Sequence, residues 1–299
     1  MRPADGRPSQ RAGEHRRARS DPGGPLRHLQ RVAQQGRTEA LVSLCRRSIR
    51  LIPDESPSAA TSTHLGGRPL LAADARWPRT LDGRPLSLVA QIDCAPLAPL
   101  VPTEPLPERG ALSFFYDADE QPWGFDPADA DGWAVRHTAD AERAVRHEFP
   151  GDLADDLRFV PVPLRPRLEW TFVPDPSYDA EQAGLVAYSE AYERVMGEEG
   201  SGALSNRLLG HPDRIQGDMQ LECQLASNGL DCGGVPGDGD PRTASLTPGA
   251  ADWRLLLQVD SEPLARMTWG DIGRLYWWLR AEDLQAGRWE AAWLVQQCY

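Results

Sequence analysis

Residues 91–97 read Gln-Ile-Asp-Cys-Ala-Pro-Leu, and residues 258–264 read Gln-Val-Asp-Ser-Glu-Pro-Leu. Four positions of this heptapeptide are identical in the two copies: Gln91/Gln258, Asp93/Asp260, Pro96/Pro263 and Leu97/Leu264. Each copy is preceded by a short glycine–proline loop and followed by a Gly-x-Leu-x-aromatic-aromatic segment. These flanking blocks are Leu65–Pro69 and Leu209–Pro212 before the copies, and Gly110–Phe115 and Gly273–Trp278 after them. Three blocks that recur in one order predict an internal duplication.

A duplication of this kind predicts the fold class. We expect an α+β fold with two similar lobes related by a pseudo-twofold axis, built mostly from antiparallel sheets with a few flanking helices. The first repeat would cover about residues 56–180 and the second about residues 181–299. Six of the ten tryptophans lie between Trp253 and Trp293, so the second lobe would pack around larger side chains.

Length and composition set bounds on the class of protein. The chain has 299 residues, of which 40% are apolar and 25% charged, as in ordinary globular proteins. No apolar run approaches the roughly 18 residues that a membrane-spanning helix needs, and the amino terminus lacks a signal-like segment. Five cysteines, an odd number without CxxC spacing, suit free thiols in a reducing compartment. The sequence therefore predicts a cytoplasmic protein that has no membrane partner.

Charge is distributed unevenly along the chain. Residues 1–37 contain nine arginines and three carboxylates, a formal charge of +6. Because the whole chain has a formal charge of −12, residues 38–299 have a formal charge of −18. An acidic body repels phosphate backbones, so we expect no nucleic-acid binding by the folded domain. Residues 1–24 are predicted to form a disordered basic tail, and residues 1–37 could also reflect a start site assigned too far upstream.

Hydrophobic periodicity predicts the order of the elements. Apolar residues at helical spacing predict a helical amino-terminal segment over residues 25–55, before the domain at 56–299. A second helix is predicted over 181–197 and a short one over 280–287, with an exposed loop at 228–250. Strands are predicted at 86–92, 112–116, 133–136, 168–173, 253–259, 274–279 and 289–295. The proline-containing run 157–164 is predicted to be an edge strand at best.

The repeated heptapeptides supply four candidate ligand-binding residues. Period two places Gln91 and Asp93 on one face of their strand, and Gln258 and Asp260 on the equivalent face of theirs. If the lobes met at these strand ends, two carboxylates and two amides would converge and could bind a polar ligand or perform acid–base chemistry. The structural alternative is that each Asp caps a turn, because a proline follows three residues later, and that each Gln satisfies backbone groups.

The turn at residues 267–273, Met-Thr-Trp-Gly-Asp-Ile-Gly, supplies two further candidates. Trp269 could form the apolar wall of a pocket and Asp271 its hydrogen-bond acceptor. The alternative is that the two glycines shape the turn and Asp271 binds local backbone amides.

Motifs that mark specific chemistries are missing from the sequence. It contains no HExxH, GxSxG, Walker loop or GxGxxG, and no Cys/His metal spacing. The acidic run from Asp117 to Asp131 lacks the ligand pattern of a calcium loop. We therefore predict no catalytic residues, no metal and no cofactor.

Several stretches of the chain resemble the YwqG-like family, a bacterial domain of unknown function. The similar stretches are Gly66–Pro69, Trp77-Pro78, Leu86–Asp93, Leu106–Gly110, Trp123-Gly124, Leu208–Met219, Leu255–Ser261, Met267–Leu279 and Val295–Tyr299. The resemblance covers about residue 56 to the end and implies an α+β fold built by duplication. It carries over no catalytic residues.

Two functional hypotheses follow from the sequence. The first is a non-enzymatic binding or interaction module, regulatory or of an immunity type, whose partner is an unidentified protein or a small polar ligand. The second is a hydrolase that uses Asp93, Asp260 or Asp271 where the lobes meet.

Overall fold

The structure is a computed structural model that describes residues 45–54, 62–140, 143–171, 205–234, 237 and 239–299. The predicted basic tail at 1–24, most of the predicted helical segment at 25–55 and the predicted helix at 181–197 lie outside these residues.

Twelve β-strands dominate the described part of the chain. They are β1 (Arg46–Pro53), β2 (His64–Leu65), β3 (Leu70–Ala72), β4 (Ser87–Asp93), β5 (Ala111–Tyr116), β6 (Trp133–Thr138), β7 (Ala144–Arg146), β8 (Val162–Thr171), β9 (Arg207–Leu208), β10 (Trp253–Asp260), β11 (Arg274–Arg280) and β12 (Trp293–Gln297). Three short α-helices accompany them: α1 (Met219–Ala226), α2 (Thr243–Leu246) and α3 (Ala281–Ala286). Six 3-10 turns complete the elements, at Ala98–Leu100, Pro127–Asp131, Asp155–Leu157, Thr247–Asp252, Pro263–Ala265 and Trp289–Ala291.

Ten of the strands form one sheet in the order β12-β11-β10-β9-β1-β8-β2-β4-β5-β6, and β3 and β7 form a separate two-stranded ribbon. Every strand pairing in the described ranges is antiparallel. The sheet is curled so that its two ends face each other. Phe114 on β5 packs against Trp277 on β11, with ring centroids 5.5 Å apart. Trp133 on β6 and Trp293 on β12 make a second such contact at 5.0 Å.

The expectation of two similar lobes in an α+β fold is wrong. The repeated heptapeptides both begin in interior strands, β4 and β10, but these strands belong to one continuous, nearly closed sheet. One hydrophobic cluster contains residues from both ends of that sheet, including Ile92 and Phe114 as well as Val259 and Trp277. The described residues contain few helices, and a two-lobe duplication is not shown.

The β1 segment corrects the predicted amino-terminal helix. Arg46–Pro53 is a central strand between β8 and β9. Ile49 and Leu51 point into the core, whereas Ser48 and Arg50, which alternate with them, make polar contacts with Glu169. Arg50 is buried and Arg46 and Arg47 are half-buried, with partners from other strands. Because such partners are distant in sequence, local hydrophobicity does not predict this strand.

The β8 strand corrects the prediction of an edge strand at 157–164. Val162–Thr171 is an interior strand, although it contains two prolines: its residues 164–171 pair with β1, and Val162 and Pro163 pair with β2. Pro166 pairs with Leu51 on β1. The amide of Leu51 points away from β8 and donates to the carbonyl of Asn206 on the β9 side, so no hydrogen bond between β1 and β8 is lost at this pair. Pro163 lies next to Leu164, which pairs with the last residue of β1. Both prolines therefore occupy positions where a missing N–H costs little.

Five strand predictions and one helix prediction are confirmed. The predicted strands at 86–92, 112–116, 133–136, 253–259 and 274–279 are present as β4, β5, β6, β10 and β11. The helix predicted at 280–287 is present as α3, which ends at Gly287 with a positive φ of 67°. The strand predicted at 289–295 begins only at Trp293, after a 3-10 turn.

The connection between β5 and β6 closes the sheet by covering the edge of β12. The amide of Gln296 donates to the carbonyl of Trp123 at 3.0 Å, and Trp293 Nε1 donates to the carbonyl of Gly124 at 2.9 Å. Gly124 has a φ of +80°, and a Cβ at this position would lie 1.9 Å from the carbonyl oxygen of Leu294. Only glycine allows so close an approach of the two backbones.

We expect Gly124→Ala to lower the free energy of unfolding by about 3 kcal/mol or more, because the loop must move away from β12. Gly83→Ala is the matched control, since Gly83 has a φ of +92° and no atom within 4 Å of the added Cβ. This control should lower the free energy of unfolding by only about 1–2 kcal/mol, the cost of holding alanine in the left-handed conformation. Urea unfolding of both variants measures the difference, and equal losses would show that the loop does not hold the edge of β12.

Candidate functional site

Gln91 and Asp93, on β4, satisfy nearby backbone groups. The side-chain oxygen of Gln91 accepts from the amide of Leu70 at 2.6 Å, and its Nε2 donates to the carbonyl of Ser62 at 3.2 Å. Asp93 accepts from the amide of Ala95 at 3.2 Å, which is a local turn contact. This arrangement corresponds to the structural alternative that the sequence left open.

Gln258 and Asp260, on β10, make similar but more strongly charged contacts. Gln258 accepts from the amide of Asp213 at 2.9 Å and donates to the carbonyl of Ser205 at 2.6 Å. One carboxylate oxygen of Asp260 accepts from Arg274 Nε at 2.5 Å and the other from the amide of Ser205 at 2.5 Å. Both oxygens of Asp260 are therefore already bound to protein donors.

The two pairs of candidates make separate contacts. The β4 and β10 strands are separated in the sheet by β9, β1, β8 and β2. Gln91 contacts Leu70 and Ser62, whereas Gln258 contacts Asp213 and Ser205, so the two glutamines share no hydrogen-bond partner. The convergence of Gln91, Asp93, Gln258 and Asp260 therefore stays a prediction, and the contacts described here are structural ones.

A buried ion network surrounds Gln258. Arg207 on β9 donates to Glu169 on β8 at 2.9 Å and to Asp213 at 2.7 Å. Burial acts to lower the pKa of Arg207, but the charges of Asp213 and Glu169 outweigh it and raise this pKa above its ordinary value. Burial acts to raise the pKa of Asp213, and the charge of Arg207 outweighs it, so this carboxylate stays ionised. The network crosslinks β8, β9 and the loop at 210–213.

Trp269 and Asp271 have different environments within their turn. Trp269 is fully buried, and its ring packs edge-on against Tyr116 at 5.7 Å and against Phe159 at 5.5 Å. It is a core residue and does not form a pocket wall. Asp271 is exposed, and its carbonyl accepts from the amide of Tyr299 at 3.3 Å.

A surface cavity of about 420 Å³ lies where the two ends of the sheet approach each other. We call it the seam groove, and it is lined by Pro105, Leu106, Pro107, His137, Leu284, Gln285, Ala286, Gly287 and Trp289. The rings of His137, near the end of β6, and Trp289 pack edge-on at 6.1 Å. His137 Nε2 lies 3.2 Å from the carbonyl of Arg109. His137 is the titratable side chain in this lining.

The charged residues that flank the groove lining in sequence, which we call its rim, comprise five carboxylates and three arginines. Charged residues within two positions of its lining are Glu104, Glu108, Arg109, Arg136, Glu282, Asp283, Arg288 and Glu290. Asp283 and Arg288 form an ion pair at 2.7 Å. Glu108, Glu282 and Glu290 are exposed to solvent.

Sequence reasoning missed the seam groove because its walls come from separate parts of the chain. Pro105, Leu106 and Pro107 precede β5, His137 belongs to β6, and the remaining residues follow β11. Only the curling of the sheet brings them together, and a single sequence contains no local signal for that closure.

Glu222, on α1, is a partly buried carboxylate in an unfavourable environment. Burial raises its pKa to about 7, and the charge of Asp218 adds to this shift while Arg214 opposes it. Its Oε2 is buried and has no hydrogen-bond partner. The ionised form therefore costs stability.

The chain belongs to the family defined by a domain of unknown function, DUF1963, whose model matches residues 63–298. This match confirms the expectation of a domain-of-unknown-function family and does not test the YwqG-like name. The chain has no match among curated proteins. Within the described ranges, no group of three or more His, Cys, Asp or Glu side chains could hold a metal ion. No helix in those ranges is long and apolar enough to cross a membrane.

We expect Arg207→Met to lower the free energy of unfolding by about 3–5 kcal/mol, because Glu169 and Asp213 would lose their shared buried cation. Arg79→Met is the control, since Arg79 pairs with Asp152 at the surface. This surface change should cost at most about 1 kcal/mol. Thermal and urea unfolding provide the comparison, and a small loss in Arg207→Met would mean that the network does not crosslink the strands.

Glu222→Gln should stabilise the protein in a pH-dependent way. Because the folded-state pKa is raised from 4.5 to about 7, the cost of ionisation is absent below about pH 4.5 and grows as the pH rises to 7. The variant should exceed the native protein in stability by about 1–2 kcal/mol at pH 8, after allowance for partial exposure, and match it near pH 4.5. Glu108→Gln, at an exposed position, is the control for unfolding measured at both pH values. A constant difference across this range would contradict the assignment.

Proposed function

We propose that this protein is a non-enzymatic binding module whose seam groove takes a short segment of a partner protein. The observation that supports the proposal is the groove itself, an open cavity of about 420 Å³ where the two ends of the sheet approach each other. Clefts that combine apolar side chains with a few polar groups are the usual sites for ligands. The segment would carry one aliphatic or aromatic anchor flanked by basic residues.

The apolar part of this specificity follows from the lining. Leu106, Leu284 and Trp289 are largely buried and form the floor, while Pro105 and Pro107 stay partly exposed at one wall. Burying an anchor of the size of Leu or Phe against such a floor contributes about 1.5–3 kcal/mol. That is enough for a weak interaction when several polar contacts accompany it.

The basic part of this specificity follows from the rim. Once Asp283 is paired with Arg288, four glutamates remain near the groove against Arg109 and Arg136. The excess of carboxylates favours a cationic partner and agrees with the acidic body of the chain. A small polar ligand is the alternative occupant, for which His137 and Gln285 supply hydrogen-bonding side chains.

The hydrolase alternative has less support from the contacts of its candidate residues. Both oxygens of Asp260 are bound to Arg274 and Ser205, and Asp93 binds the amide of Ala95. Asp271 lies in the exposed turn. We keep Asp271 as a candidate ligand-binding residue and place the main binding activity in the seam groove.

Two finer expectations belong to the proposal. The five cysteines form no disulfide in the described part of the chain, and four of them are buried, which suits a reducing compartment such as the cytoplasm. We also expect the domain to be YwqG-like, on the stretches from Leu86 to Asp93 and from Met267 to Leu279.

A random peptide library selected on the immobilised full chain tests the function. We expect an enriched family with one large apolar residue and neighbouring Arg or Lys. Ala286→Trp fills the groove from an exposed position and should weaken binding of these peptides at least about tenfold, or ~1.4 kcal/mol. Calorimetric titration of synthetic peptides measures this change.

Ala251→Trp is the matched control, because Ala251 is exposed and lies outside the groove lining. It should leave the affinity within about twofold of the native value. Failure to enrich any family, or enrichment of peptides that bind Ala286→Trp equally well, would falsify the proposal.

A further inference from the structure

The described chain starts close to the seam groove. Cys45 is its first residue, and β1 begins at Arg46. Burial and the charge of Arg254 lower the pKa of Arg46, whereas the charge of Glu104 acts in the opposite direction. The strand registers supply the geometry: Ile49 pairs with Leu208, Leu208 with Leu257, and Trp253 with Arg280. Arg46 therefore lies at the same end of the sheet as the end of β11, after which the groove residues 284–289 follow.

Two undescribed segments adjoin this end of the central strands. Residues 1–44 lead into Arg46, and residues 172–204 begin after Thr171, which is the register partner of Arg46. Their charges differ in sign. Residues 1–44 contain nine arginines and four carboxylates, whereas residues 172–204 contain one arginine and seven carboxylates. The acidic rim of the groove attracts the first segment and repels the second.

The amino-terminal segment also has the apolar residues that the groove floor requires. Leu26, Leu29 and Val32 lie among Arg27, Arg31 and the earlier arginines. This is the combination of apolar anchors and flanking cations that the seam groove would select. A tether of 44 residues does not limit its reach, because each residue spans up to about 3.3 Å.

We infer that residues 1–44 dock in the seam groove of the same chain and compete there with the partner protein. The inference rests on the proposed function and adds regulation to it. A tethered segment has an effective concentration in the millimolar range, so even a weak contact would occupy the groove much of the time. A partner would then need higher affinity or concentration to displace it.

Amide hydrogen exchange of the full chain tests the inference directly. The variant has Arg16, Arg17, Arg19, Arg27 and Arg31 replaced by Ser. We expect amides in 282–290 and 108–110 to exchange at least about threefold faster in this variant. Amides in α2 and the turn that follows it, residues 243–252, should keep their rates. Unchanged rates at the groove, or equal changes at 243–252, would overturn the inference.

A second measurement separates this inference from the proposed function. A library-selected peptide should bind the arginine-replaced variant about tenfold more tightly than the native chain, since the competitor is weakened. If the peptide binds both forms equally and slows exchange at 282–290 in both, only self-docking fails. If no peptide binds but exchange still responds to the arginine replacements, the partner-binding function fails and self-docking stands.

Discussion

Closure of the curled sheet is the constraint on which the rest of the structure depends. Aromatic pairs join its two ends across the core: Phe114 with Trp277, and Trp133 with Trp293. Each such pair contributes about 0.5–1.5 kcal/mol beyond its buried area. The loop at Gly124 then covers the edge of β12, which would otherwise present unpaired backbone groups to other chains. The seam groove exists because this closure leaves a gap beside β6.

Local pattern predicted the strands whose environment is simple. β4 and β5 are buried at nearly every position and have mostly apolar sequences, so the pattern predicted their positions directly. β1 and β8 could not, because their charged residues and prolines match contacts from distant parts of the chain. Arg50 is an example, since Glu169 on β8 and Ser205 before β9 make a charged side chain tolerable in a central strand. Such partners are invisible in one sequence.

Four candidate residues were recognised because they occur in both copies of the heptapeptide, and the contacts of these residues stabilise the fold. Gln91 and Gln258 each hold a loop against a strand by accepting from one backbone amide and donating to one carbonyl. Trp269 was singled out for its motif and proved to be a core residue. The groove residues have no motif, because their relation to one another is created only by tertiary closure. For this chain the sequence therefore located much of the framework and none of the groove.

The two repeated glutamines lie beside residues of different charge. His64 is the register partner of Gln91, and Arg207 is that of Gln258. His64 Nδ1 donates to the carbonyl of Gly66 at 2.8 Å, and burial lowers the pKa of this imidazole, so it remains neutral. Arg207 stays charged between two carboxylates. The ion network therefore lies in the middle of the sheet, on β8 and β9, while the groove draws its walls from both ends, and the two features can change independently.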